Sequence, residues 1–228
     1  RLQLNNKATH IAPVNNGIDF LGVITRKDYI LVRRRSINNL KKVLKRYEDL
    51  LVDETAFGRL YRYDFILCEK LLHTLNSYLG HFKLADTYRL IKRLFVRYPF
   101  LDEFYIRRGT KVVRNYSFKQ RYANLAVQYW FYRKKFKGFL VFFHVGCFIE
   151  FYCMHAKLVQ KLFGLQVKYC HKRLRPRCGF PLKRLNEYID VAVREKVPFV
   201  VISQTGREGL RVMDRDIAWK FIPVPEDN

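Results

Sequence analysis

The chain has 228 residues, 49% of them hydrophobic, and 44 Lys and Arg stand against 20 Asp and Glu for a formal net charge of +24. That apolar content excludes global disorder, and the length suffices for one large or two small domains. So large a basic excess excludes an ordinary mixed surface and points to a polyanionic partner, nucleic acid first. The 15 Tyr and 19 Phe add aromatic faces; interleaved with cations, such faces suit single strands and base steps.

In chain order, residues 18–35 read as a β-hairpin. Ile18, Phe20 and Val23-Ile24 form one arm, Thr25 to Asp28 the turn, and Tyr29 to Val32 the other arm. Arg33-Arg34-Arg35 follow at once and could hold a backbone phosphate by charge-assisted hydrogen bonds. Ser36 is a suitable N-cap for the next helix. Ile37, Leu40, Val43, Leu44, Tyr47, Leu50 and Leu51 recur at spacings of three and four, one apolar helical stripe. Lys41, Lys42, Lys45 and Arg46 fall mostly off it, as a solvated face or as a face along a nucleic-acid backbone.

Asp53 to Arg59 read as a polar break with Gly58. A second helix is predicted from about Tyr61 to Tyr78, interrupted at Gly80-His81, and a third from about Ala85 to Tyr98, ending before Pro99. Residues 36–112 are thus expected as a basic helical domain, after a hairpin segment at 1–35. Leu101 to Asn115 read as a basic connector to a second domain at 113–228. The second domain opens with a helix from Tyr116 to Phe136, carrying Tyr122, Leu125, Tyr129, Trp130 and Arg133.

Next comes GFLVFFHVGCFIEFY, Gly138 to Tyr152. It reads as an apolar strand at 139–145, a tight turn at Gly146 and a second extended element from Phe148. Glu150 is the oddity, since a carboxylate inside an apolar run needs a hydrogen-bonding partner or a ligand. In an extended segment Phe148 points to the same side as Glu150, placing an aromatic plane beside an acceptor. On the residues alone two readings stand: base contact, or Phe148 as core with Glu150 paired to a nearby Arg or Lys. A helix from Met154 to Phe163 is expected to end at Gly164. Leu165, Val167 and Tyr169 alternate as a strand, Arg173 to Arg177 form a cationic loop, and Cys178 to Pro181 a turn. A helix from Leu182 to Glu195, a buried strand at 199–202 and a strand or hairpin from Leu210 to Phe221 complete an α/β succession. The fold class expected for the whole chain is α+β.

Two resemblances follow from these strings. GIDFLGV followed by a hairpin, RRRS and a basic helix resembles the end of the palm and start of the thumb of bacterial retroelement reverse transcriptases, those of group II introns, retrons and diversity-generating retroelements. LQLNNKATHIAPV, with Lys7, is similar to the last palm segment, and NSYLGHFKLADTYRL at 76–90 to the thumb of the diversity-generating type. The resemblance implies a primer grip at Phe20, Leu21 and Gly22. It implies primer-template partners (RNA-DNA hybrid, duplex DNA or template RNA) and a palm and fingers upstream with Mg2+ at their aspartates. No YxDD-style aspartate pair is present here, so no catalytic residue is assigned, no cofactor is expected in this chain, and it does not polymerise by itself. Residue 1 is Arg rather than Met, which reads as a fragment or processed piece.

Leu125 to Pro223 resembles the N-terminal mismatch-recognition domain of the DNA mismatch-repair protein MutS. The match runs through Gln128-Tyr129, Gly146-x-Phe148-x-Glu150, Ala156, Cys178-Gly179-Phe180-Pro181, Tyr188-Ile189 and Val200 to Gln204. In that family the Phe wedges into the minor groove and stacks on a mispaired base, and the Glu hydrogen-bonds it; the resemblance implies these roles for Phe148 and Glu150. Cys147 and Ile149 stand where the family usually has Asp and Tyr.

Backbone-phosphate contacts are thus expected at Arg33, Arg34, Arg35, Lys41, Lys42, Lys45, Arg173, Arg175 and Arg177. Cys147, Cys153, His155, Cys170, His171 and Cys178 raise zinc, but no CxxC pair occurs and the spacings fit no standard finger, so no metal is expected. The five cysteines and the lack of a signal peptide suggest a reducing, cytoplasmic setting. No apolar run is long enough to span a bilayer, so no membrane partner is expected. Besides a reverse-transcriptase portion, a non-enzymatic ribonucleoprotein component and, last, a nuclease remain as readings.

Overall fold

The structure is a computed structural model and describes residues 13–20, 22–115, 124–169, 176–208 and 212–225. The chain divides into two compact units. One holds Arg1–Glu48 and Ile66–Tyr116, the other Asp49–Phe65 and Ser117–Asn228.

The first unit opens with a three-stranded antiparallel sheet: β1 (Ile18–Phe20), β2 (Val23–Thr25) and β3 (Ile30–Val32). Phe20 and Val23-Ile24 are expected in one arm. Instead Phe20 pairs with Val23 across a turn, and Gly22 there has φ +87. A Cβ on Gly22 would lie 2.7 Å from Nε2 of His81, so glycine is required on two counts.

α1 (Arg34–Leu51) buries the expected stripe at Leu40, Leu44 and Leu51. The carbonyl of Arg33 accepts from the Ile37 N–H at 3.2 Å. Arg33 therefore opens the helix, and Ser36 lies in its first turn rather than capping it. The expected polar break is a hairpin, β4 (Val52–Thr55) and β5 (Gly58–Arg62), which belongs to the other unit. α2 (Phe65–Phe82) consequently starts later than predicted and runs through Gly80-His81. Gly80 is exposed with open space around it, so it weakens only the last turn. α3 (Tyr88–Arg97) stops before Pro99, as expected, and Pro99 precedes the short α4 (Phe100–Phe104).

The expected connector is not a linker. It forms the antiparallel hairpin of β6 (Tyr105–Arg108) and β7 (Lys111–Arg114). Reciprocal bonds join the Asn76 amide to the main chain of Val112, at 3.0 and 2.9 Å. Arg114 pairs with Glu69 at 2.5 Å, and the buried Tyr105 hydroxyl donates to the Cys68 carbonyl at 2.7 Å. Burial pushes the Tyr105 hydroxyl far above its ordinary pKa, so it stays a donor.

The second unit is built on a seven-stranded sheet in the order β10 (Arg177–Pro181), β9 (Phe148–Tyr152), β8 (Leu140–Val145), β11 (Phe199–Glu208), β12 (Met213–Pro223), β5, β4. β8 and β9 form the predicted strand-turn-strand. β10 is an edge strand where Cys178 to Pro181 suggested a turn. β11 runs parallel to β8 and antiparallel to β12. α5 (Leu125–Lys135), capped by the Asn124 side chain on the Val127 N–H at 3.0 Å, covers one face. α6 (Met154–Phe163), closed by left-handed Gly164, and α7 (Leu185–Arg194) cover the other. Leu165 to Tyr169 contribute a single bridge, Lys168 to Arg177, rather than the expected strand. Residues 116–123 of the predicted opening helix, Tyr122 included, lie outside the described residues.

Alternation on the strands separates two cores. Leu140, Phe142, Ile149, Phe151, Phe180, Phe199 and Phe221 meet α6 and α7. Phe143, Glu150 and Tyr152 face α5, whose Tyr129 ring packs edge-on to Phe143 at 5.4 Å and to Tyr152 at 4.9 Å. His155 lies within 3.3 Å of the Tyr129 hydroxyl, and burial lowers its pKa from 6.5 to about 4. Between those values the unfolded chain takes up a proton that the folded one refuses. This contribution to stability is therefore complete above pH 6.5 and lost as pH falls toward 4. Denaturant midpoints measured across that window should show an acid limb worth about 3 kcal/mol that His155→Asn removes.

Candidate functional site

The site grows from the turn between β8 and β9. Gly146 has φ +60, a region that favours glycine. The imidazole of His144 accepts from the Gln204 N–H through Nδ1 at 3.2 Å and donates from Nε2 to the Gly146 carbonyl at 2.7 Å. The Leu182 N–H donates to the Cys147 carbonyl at 2.8 Å. The turn is thus fixed from both flanks, and Phe148 is the first residue beyond it.

Phe148 is 49% exposed, so it is not core. Glu150 is half-buried on the same side of β9, as the period of two requires. Its partner is the hydroxyl of Tyr152, one more step along that side, which donates to the Glu150 carboxylate. Burial, reinforced by this bond, raises the Tyr152 pKa well above that of an ordinary phenol, which keeps the proton in place. Among the described residues Glu150 makes no ion pair with Arg or Lys within 4 Å. Phe143 on β8 and Gly179 on β10 are its cross-strand neighbours. A Cβ on Gly179 would come within 2.4 Å of the Ile149 carbonyl, so β10 lies close against β9 only because this residue is glycine.

Beneath this face Arg215 is buried, 5% exposed. Its guanidinium donates to Gln128 Oε1 at 2.7 Å and to the carbonyls of His144 and Met213 at 2.6 and 3.0 Å. Burial lowers its pKa, while the nearby Tyr152, Tyr132 and Glu150 oppose that. Arg215 therefore ties α5, β8 and β12 together under the Phe148 edge. Sequence reasoning missed Tyr152, His144 and Arg215. Only Tyr152 carried a local signal, the alternation Phe148-x-Glu150-x-Tyr152.

Of the expected phosphate contacts in this unit, Arg177 is exposed on β10 and in register with Tyr152, on the same side as Phe148 and Glu150. Arg173 and Arg175 lie outside the described residues, as do Cys170 and His171. Cys178 is buried and its thiol is pushed up to about 11 by that burial. Among the described residues no group of three or more His, Cys, Asp or Glu could hold a metal ion, and no helix is long and apolar enough to cross a membrane.

In the first unit Phe20 is 61% exposed beside Gly22, whose carbonyl lies 3.3 Å from His81 Nε2. That contact joins the FLG string to the SYLGH string. Leu21 lies outside the described residues, as does Lys7. Arg33 is engaged by Asp19, whereas Arg34 and Arg35 are exposed in the first turn of α1, which has no acidic residue. Cations at a helix N-terminus oppose the macrodipole, whereas an anion there is favoured. Lys42 and Lys45 are exposed on the same helix, Lys45 pairing with Glu48 at 3.2 Å. Lys41 is half-buried, its carbonyl accepting from the Tyr98 hydroxyl at 3.2 Å.

Known proteins bear on the second unit. Residues 123–222 match the family model of MutS domain I. No curated protein matches the chain. The MutS domain I match takes in α5 to α7 and β8 to β12, with Phe148, Glu150, Tyr152 and Arg215 inside it. It leaves out residues 52–62, so two of the seven strands of this sheet come from outside the match.

Proposed function

We propose that the chain binds nucleic acid and that its MutS domain I-like unit contacts bases through Phe148 and Glu150. The observation that carries this is the pairing itself: a half-exposed aromatic on a pinned turn, next to a carboxylate held by a buried phenol. Phe148 enters between bases where stacking is already weak, because unstacking a sound step costs a few kcal/mol. Glu150 accepts a hydrogen bond from an exposed base N–H, in the rotamer that Tyr152 holds. Mispaired sites meet both conditions, so the preferred ligand is a distorted or mismatched duplex, DNA or RNA-DNA hybrid. Arg177 lies on the same side to hold a phosphate.

The first unit then serves as the primer grip and thumb of a bacterial retroelement-type reverse transcriptase. Phe20 and Gly22 sit at the tight turn, and Arg34, Arg35, Lys42 and Lys45 follow backbone phosphates. Polymerisation and its metal ions would belong to aspartates encoded outside these residues, and the second unit would sense mismatches in the product duplex. A palm with an aspartate pair upstream in the same reading frame supports this. An unrelated upstream sequence would leave a nucleic-acid-binding component.

Binding should be strongly salt-dependent, with a loss of about 10³-fold or more between 50 and 200 mM salt if about six phosphates are contacted. A flat response would refute the electrostatic part. Phe148→Ala should leave that slope unchanged and remove the preference for mismatches.

A further inference from the structure

α3, α4, β6 and the turn after β6 line an open groove of about 470 Å³, with Tyr88, Ile91, Asp102, Ile106, Arg107 and Gly109 among its walls. That lies within the range of about 300–1,000 Å³ usual for small-ligand clefts. Two of its walls are apolar groups left open to solvent, Tyr88 at 76% and Ile106 at 44% exposure. The guanidinium of Arg107 lies 4.7 Å from the centre of the Phe95 ring, which restrains it at the groove wall. At the hairpin end the exposed Arg108 and Lys111 are cross-strand partners. Gly109, with φ +59, has nothing within 4 Å of where a Cβ would stand, so the rim is unobstructed. The bonds from Asn76 and Glu69 that fix β7 to α2 make the groove preformed.

We propose that this groove is a second nucleic-acid site, taking one unpaired base of a single strand. A planar aromatic and a planar cation at the same cleft suit a nucleobase, and the cations at the rim suit its flanking phosphates. Asp102, the one carboxylate among the described residues that line the groove, repels phosphate but accepts from the N–H groups of a base edge. A base inside a duplex cannot enter such a groove, because its faces are covered by its neighbours. The occupant is therefore single-stranded, such as a template overhang or a displaced strand. This goes beyond the Phe148 reading and stands if that reading fails.

The test uses the full chain, a short labelled single strand of mixed sequence and a blunt duplex of the same sequence. Tyr88→Ala should weaken single-strand binding by about fivefold to a hundredfold, and Arg108→Ala should lower its salt slope by about 0.7, with duplex binding unchanged in both. In the unaltered chain, a strand carrying 5-iodouracil should cross-link to Tyr88 on irradiation. Equal losses for single strand and duplex, no loss in either variant, or cross-links confined to other residues would overturn the proposal.

Discussion

Residues 117–228 expressed alone should fail to fold stably, although they contain all the described residues of the MutS domain I match. β12 pairs with β5 over five register positions, from Trp219 opposite Arg62 to Pro223 opposite Gly58, and the Tyr63 N–H adds a bond to the Ala218 carbonyl at 2.8 Å. Without the 49–65 segment, β12 becomes an open edge carrying Trp219, Phe221 and Ile222, and such an edge invites aggregation. The same fragment with residues 49–65 joined to its N-terminus through a flexible linker should recover solubility and a cooperative transition. Within the full chain, Gly58→Val tests the same junction. A Cβ at Gly58 would lie 2.3 Å from the Ile222 carbonyl, against backbone that cannot yield cheaply, and the substitution should cost about 3 kcal/mol. A soluble, cooperatively folding 117–228 would show that β4 and β5 are dispensable.

Phe142→Ala should destabilise the second unit by about 3–5 kcal/mol. Phe142 is fully buried in the middle of the sheet. Its ring meets Phe151 at 5.1 Å, Phe199 at 5.2 Å, Phe163 at 6.1 Å and Phe180 at 6.2 Å. These partners come from both neighbouring strands, from β10 and from α6, so none can close the cavity without unseating another. Phe148→Ala, six residues on and half-exposed, should change stability by less than about 1 kcal/mol. Denaturant titrations of the two variants give the contrast directly. Equal losses would mean that Phe148 is packed like a core residue.

The most local features were the most legible in the sequence. The β8–β9 turn, the Gly164 stop of α6, the end of α3 before Pro99 and the shared side of Phe148 and Glu150 all depend on residues a few positions apart. What was misread depends on distant partners. Asp53 to Arg59 look like a polar break, because the hairpin they belong to is completed by the pairing of β5 with β12, far along the chain. Cys178 to Pro181 have turn composition yet pair with β9, where Gly179 permits the close approach. Leu101 to Asn115 look like a connector until Asn76 and Glu69 are seen to hold the hairpin. At the site, Phe148 and Glu150 were visible as an odd pair, but Arg215 and His144 act through carbonyls that no spacing rule reveals.

Phe148 and Glu150 are proposed to read bases. The most direct measurement is the affinity of the full chain for matched and singly mismatched duplexes, DNA and RNA-DNA hybrid, beside Phe148→Ala and Glu150→Ala. Binding to mismatched duplexes should be tighter, and both variants should lose that preference while matched-duplex affinity and its salt slope persist. Equal affinity for matched and mismatched duplexes, unchanged by either substitution, would contradict it and leave the unit as a clamp on the backbone.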